Sequence, residues 1–234
     1  MKDELKVLST LAVELALKSA LLPAWQAGGR SIVVNWNPTG VLIEQVRNGQ
    51  RGDVLIAIDE PIAALVEAGI LRAGTVRPVA RASFGLGARR GEALPDISTP
   101  EQFKQALLSA QSVAYSQTGA SGIHFRQVLE SLGIADEINA KATIIHAGFT
   151  ADKVISGEAD LAVQQISELM SIDGIDVVGP FPDPYQKHTD FSAAVFVEAR
   201  NPQAAEAFVD HLSDSKAAAV YARSGLLPRA RVAA

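Results

Sequence analysis

The feature that most limits the folds open to this chain is a recurring alternation of two periodicities. Short runs rich in β-branched residues are each followed by a longer stretch whose apolar residues fall at helical spacing. The runs are LKVLS (5–9), SIVVNW (31–36), DVLIAI (53–58), SVAYS (112–116), ATIIH (142–146), DLAVQQ (160–165), DVVGP (176–180) and SAAVFVEA (192–199). Parallel strands need a crossover between them, most simply a helix, so this order predicts βαβ units and mixed, mostly parallel sheets flanked by helices, an α/β fold. Several helix ends are legible. Thr99 before Pro100, with Gln102 following, reads as a capping box, and Asn48-Gly49, Gly69, Gly133 and Gly157 stand where helices should stop.

The segment GTVRPVARASFGLGARRGEALPDIST (74–99) interrupts the alternation and is rich in Gly, Arg and Pro. It reads as a crossing between two lobes, with a second crossing within 182–195 and two C-terminal helices that return to the first lobe. This gives a discontinuous first lobe, 1–80 plus 193–234, and a second lobe, 81–192, that includes the crossings. A cleft between the lobes is the expected place for a ligand.

Composition removes several classes of function. Net charge is −5 with a pI near 5.4, and the Lys and Arg residues are scattered singly, so no basic stripe is available for a nucleic acid. No apolar run approaches the roughly 20 residues that cross a bilayer, which predicts no membrane insertion. With no cysteine there is neither a disulfide nor a thiolate metal site. The histidines, His124, His146, His188 and His211, are far apart and match no metal-ligand spacing, so no metal is expected; His188 reads as a loop residue and His211 as a surface helix residue. GLGARRG (85–91) has its third glycine one residue late for a dinucleotide fingerprint, and no phosphate-loop motif is present, so no cofactor is expected either. The start, MKDELKVLSTLAVEL, has acids at Asp3 and Glu4 and no apolar segment ending in a cleavage site. The expected location is periplasmic if a leader has been removed ahead of it, and cytoplasmic otherwise.

Three turns share one pattern, in which a strand ends, a few small or polar residues follow, and a helix begins: STLAVE (9–14), NWNPTGV (35–41) and SQTGASG (116–122). Open backbone N–H groups and the positive end of a helix dipole make each a potential anion cradle, and small side chains let a ligand approach the backbone. The candidate ligand residues are Ser9, Thr10, Asn37, Thr39, Gly40, Tyr115, Ser116, Ser121, Gly122 and Gln164. Asp59, just ahead of Pro61, reads as a helix cap. Glu60, His124 and His146 lie at strand or helix ends, where acid–base groups of α/β sites are found.

From Leu5 to about Pro228 the order of segments resembles the molybdate-binding subgroup of type II periplasmic solute-binding proteins. The resemblance lies in LKVLSTLAVELALKSALLPAW, LIEQVRNGQRGDVLIAIDEPIAALVEAGIL, SVAYSQTGASGIHFRQVLESLGI, VISGEADLAVQQISE and AAAVYARSGLLP. It implies two α/β lobes joined by a two-strand hinge, a small anionic ligand held by helix N-termini and backbone amides, hinge closure on binding, and a membrane ABC transporter permease as partner. The family's molybdate binders have a serine before the first helix, a serine-rich second turn, and a tyrosine after the strand corresponding to DLAVQQ. Here those places are Ala12, Thr39 and Gln164. The remaining amides and hydroxyls suit a small organic carboxylate. The resemblance also extends to aconitate isomerase-like enzymes, which implies an alternative: a proton shift on a di- or tricarboxylate in the same cleft, with His146, Glu60 and His124 as the acid–base groups.

Overall fold

The computed structural model describes residues 4–146 and 148–229. The chain forms two compact units, one running to Arg81 and resuming at Asp190, the other Ala82–Thr189.

In the first unit β1 (Glu4–Ser9) leads into a helical stretch. It consists of a 3-10 turn (Leu11–Val13), α1 (Glu14–Ala16), a π-helical turn (Leu17–Leu21) and α2 (Leu22–Gln26). Then follow β2 (Ser31–Trp36), α3 (Thr39–Arg47), β3 (Val54–Ile58) and α4 (Asp59–Glu67). β2, β1 and β3 are parallel neighbours in that order. Four of the five residues of β3, VLIAI, are buried, the unbroken apolar run expected of a strand covered on both faces. Leu8, Leu42, Val46, Leu55, Ile62 and Phe196 form the core beside it.

The chain leaves this unit within β4 (Arg77–Arg89). The sequence reading names no strand over 74–99, yet half of that segment is a 13-residue strand. Its glycines are packing positions. A Cβ on Gly85 would stand 2.6 Å from the Gly179 carbonyl oxygen, and one on Gly87 would stand 3.0 Å from Ile175 and Leu169. The second unit continues with α5 (Pro100–Ser109), β5 (Val113–Ser116), α6 (Ala120–Leu132), α7 (Ala135–Lys141), β6 (Thr143–Ile145), α8 (Ala151–Ile155), β7 (Leu161–Gln165), α9 (Ile166–Leu169) and β8 (Ile175–Pro180). Here β6, β5 and β7 are parallel, whereas β4 lies antiparallel to both β7 and β8. Phe84, Phe103, Tyr115, Phe125, Leu129 and Phe181 fill this core.

β9 (His188–Val195) returns the chain to the first unit, antiparallel to β3. His188 opens this strand, with Nδ1 3.1 Å from Ser83 Oγ, and is not a loop residue. α10 (Pro202–Leu212), α11 (Ser215–Arg223) and β10 (Leu227–Pro228) follow, and β10 pairs with Ala80 and Arg81 of β4. His211 is part-buried in α10, its Nε2 3.0 Å from the Leu21 carbonyl and its ring 5.7 Å from Trp25, so it packs in the helix layer. The glycines read as helix stops at 49, 69, 133 and 157 all have positive φ, between 67° and 91°.

Candidate functional site

The parallel strands of the first unit end at Ser9, Trp36 and Ile58, and the loops beyond them hold most of its candidate residues. Ser9 is buried and donates to the Thr10 carbonyl at 3.1 Å; the Thr10 N–H donates to Ile56 and the Asn37 N–H to Ser9, which knits the three loops together. The Asn37 amide donates to Asn35 Oδ1 at 2.7 Å, and Asn35 in turn to Gln45. Thr39 opens α3. It is 7% exposed, and its hydroxyl is buried with no hydrogen-bond partner. Beside it, nothing lies within 4 Å of where a Gly40 Cβ would stand, so the first turn of α3 is uncovered.

The corresponding edge of the second unit follows β5 and β6. The Ser116 hydroxyl accepts from the Gly119 N–H at 3.0 Å, Thr118 donates to the His146 carbonyl at 2.8 Å, and Arg126 donates to the Gln117 carbonyl at 3.0 Å. Gly119 precedes α6 with no hydrogen-bonding side chain, and Ser121 is buried in its first turn.

Four candidates have their groups engaged elsewhere. Gly122 is small because of packing, since a Cβ there would stand 1.7 Å from the Ser116 carbonyl oxygen. Tyr115 is a core residue whose hydroxyl donates to Asn139 at 2.6 Å; burial pushes its phenol above the usual value, with Arg126 opposing. The Gln164 oxygen accepts from the Thr150 N–H at 2.8 Å and the Thr150 hydroxyl at 2.9 Å, so this amide ties down the loop before α8. His124 Nε2 lies 2.7 Å from the Tyr185 carbonyl and so donates to it, while the ring packs 5.4 Å from Phe84 and its Nδ1 is buried without a partner. That environment is a packing one for the imidazole. Glu60 and His146 are exposed.

Asp59 does not cap α4, whose N-cap is Ile58. It lies in the first turn and is held by Arg229 at 2.9 Å and by the Ser192 hydroxyl at 2.7 Å. Arg81 grips Asp190 through two hydrogen bonds, 2.6 and 2.8 Å, which raises its guanidinium pKa further, and Arg229 stands 3.6 Å from the same carboxylate. No local signal in the sequence reveals Arg229, because its partners lie far back along the chain.

The helix starts differ in charge balance. α5, α10 and α11 are capped by the side chains of Thr99, Asn201 and Asp214, and α4 and α7 have acids in their first turns. Among described helices of seven residues or more, α3 and α6 alone have neither a capping side chain nor a first-turn acid. Their first-turn N–H groups and positive dipole ends therefore have no internal counter-charge, an arrangement that attracts anions. Among the described residues no three His, Cys, Asp or Glu side chains gather as a metal site. No described helix is long and apolar enough to cross a membrane.

Residues 5–227 match the sequence profile of the family described as bacterial extracellular solute-binding protein. The chain belongs to this family. Within it the chain falls in the molybdate-binding-like, type II group of solute-binding proteins. This solute-binding protein is 35% identical over 185 residues to an aconitate isomerase of a Pseudomonas species, a match spanning 79% of this chain and 70% of that one. It is 23% identical over 202 residues to the molybdate-binding protein ModA of Escherichia coli K12, spanning 84% and 78%. The periplasmic molybdate-binding protein of Azotobacter vinelandii shares its fold, with a TM-score of 0.76 at 22% identity over 96% of this chain and 100% of that one.

Proposed function

We propose that this solute-binding protein takes a small anion, an organic carboxylate, at a bare helix N-terminus, of which the first unit has one, at α3, and the second unit one, at α6. The observation that supports this reading is the charge balance of the helix starts: every other long helix among the described residues supplies its own cap or acid, and these two do not. Thr39 adds a buried hydroxyl without a partner, and Gly40 leaves the backbone open to close approach. An anion at a helix N-terminus gains about 0.3–1 kcal/mol at an exposed site and up to about 2 when partly buried. Neutral donors of this kind suit the two oxygens of a carboxylate. Affinity that differs between two states of the protein would couple binding to closure, and a membrane permease that recognises the closed state is the partner such a protein serves.

The test is a thermal-shift panel of molybdate, tungstate, sulfate and small mono-, di- and tricarboxylates. A carboxylate present at about 100 times its Kd should stabilise the fold by about 2.7 kcal/mol. Stabilisation by molybdate and tungstate alone overturns the carboxylate reading.

The 35% identity to an aconitate isomerase favours a second reading, in which the bound acid is also turned over. Moving a double bond by a 1,3 proton shift needs one group to remove a proton from the carbon next to a carboxylate. The same group or another returns a proton to the far end of the former double bond, with no change of oxidation state, while donors steady the enolate-like charge. Glu60 and His146, both exposed, are the groups open to this task. Proton NMR of cis- and trans-aconitate in deuterated water with the protein decides it. Interconversion with deuterium incorporation supports turnover; unchanged spectra leave a binding protein.

A further inference from the structure

We propose that a groove in the second unit docks a basic segment of a partner protein, one that sets a lysine or arginine beside a large apolar residue. The groove has a volume of about 480 Å³ and lies where β5 and β7 begin, lined there by Ala110, Asp160 and Leu161. The candidate anion-binding loops of this unit lie at the other edge, where those strands end, so the groove is separate from the site proposed above.

The lining joins an apolar base to an acidic rim. Its buried members are Ala88, Ala106, Ala110 and Leu161. Around them four carboxylates stand exposed: Glu101 from the first turn of α5, Glu92 and Asp96 from the chain after β4, and Asp160 just ahead of β7. Exposed acids without a cation occur elsewhere on this chain. What marks this place is four of them around one apolar depression, with no Lys, Arg or His among the described residues that line it.

The hydrogen bonds made by these carboxylates leave their charge in place. Asp96 accepts from the Ser98 N–H at 2.9 Å and the Gln102 amide at 2.6 Å, Asp160 from the Gln111 N–H at 2.6 Å, and Glu101 from the Gln105 amide at 3.2 Å. Neutral donors orient a carboxylate without cancelling it, and those from Ser98 and Gln102 hold the Asp96 carboxyl below the usual range. Glu92 stands 3.7 Å from Arg89, whose guanidinium also donates to the Val154 and Ile155 carbonyls. Charge complementarity therefore asks for a cation, and the apolar base suits the methylene stem of lysine or arginine, whose charged head stays at the rim.

Leu94 favours a protein segment over a small free cation. It is 45% exposed, in the same turn as the lining residues Ala93 and Pro95. An exposed apolar side chain beside a polar rim is the composition of a protein-docking surface, and a large apolar residue next to the docked cation would cover it.

The experiment titrates the full chain into two labelled short peptides at low ionic strength, one alternating lysine with leucine and the other lysine with serine, read by fluorescence anisotropy. The variants are Glu92→Gln with Glu101→Gln, Leu94→Ser, and a control, Glu44→Gln with Glu67→Gln, which removes the same charge from exposed positions of the first unit. The unliganded melting temperature of each controls for folding. The lysine–leucine peptide is expected to bind the wild type, to lose about 3- to 20-fold with the Glu92/Glu101 variant and to weaken with Leu94→Ser, while the control stays within about twofold. The lysine–serine peptide is expected to bind more weakly. Equal weakening by the control variant would mean attraction to net charge alone and overturns the proposal, as does equal affinity for the two peptides or no binding by the wild type. Binding of cadaverine that depends on Glu92 and Glu101, without binding of either peptide, would make the groove a small-cation pocket and overturn it too.

Discussion

At Gly122 and Gly40 the same residue type answers two different demands. A Cβ on Gly122 would stand 1.7 Å from the Ser116 carbonyl oxygen, so the start of α6 approaches the end of β5 as closely as backbone permits. Gly122→Ala should therefore destabilise the fold by about 1–3 kcal/mol through overpacking, visible as a lower urea midpoint. Gly40 has open space where its side chain would be. Gly40→Ala should leave stability unchanged or raise it by about 0.5–1 kcal/mol, since alanine favours the helix, while weakening carboxylate binding by covering the α3 amides. A urea titration beside a ligand titration checks both; tighter binding by the Gly40 variant would contradict the role given to that turn. Local sequence shows both glycines as small residues at a helix mouth, and only the neighbouring atoms say which one is small for packing.

Helix starts and one strand show the limits of local pattern at the level of the element. Thr99 caps α5 as its sequence suggests, accepting from the Gln102 N–H at 3.2 Å. Because α5 is compensated internally, Thr99→Ala should cost about 1 kcal/mol in a denaturant titration and leave ligand affinity unaltered. A fall in affinity would mean that the helix starts are not independent. Local pattern does not reveal β4, because glycine and arginine are poor strand residues taken alone. Gly85 and Gly87 are required by the carbonyl of Gly179 and the side chains of Ile175 and Leu169, which come from β8 and α9. Asp59 shows a related limit: its position before Pro61 looks like a cap, yet the residue that fixes it, Arg229, is 170 positions away.

On the scale of the molecule, each unit buries a tyrosine whose proton the fold retains. Burial raises both phenols, with the nearby Asp214 carboxylate adding to the effect at Tyr221; Tyr115 donates to Asn139 and Tyr221 to the Leu212 carbonyl. Unfolded tyrosines ionise near pH 10, so above that pH the unfolded chain holds fewer protons than the folded one, and stability falls as pH rises toward the raised folded values. Below pH 10 the contribution is fully present. Urea midpoints measured from pH 8 to 11 should decline at the alkaline end, and Tyr221→Phe should flatten that decline; a flat wild-type curve would contradict it. Legible in the chain alone are the α/β alternation, the glycines that end helices, and a resemblance over nearly its whole length to the family it belongs to. These features are written in local periodicity, in backbone conformations only glycine adopts readily, and in the order of segments. Which small and polar residues are engaged in packing and which are open is visible only once the chain is folded: the Gln164 amide under Thr150, the Tyr115 hydroxyl on Asn139, Arg229 on Asp59, and the bare first turns of α3 and α6. Hydrogen bonds and charge compensation at these sites depend on groups brought close by folding, and no local pattern in the chain records that proximity.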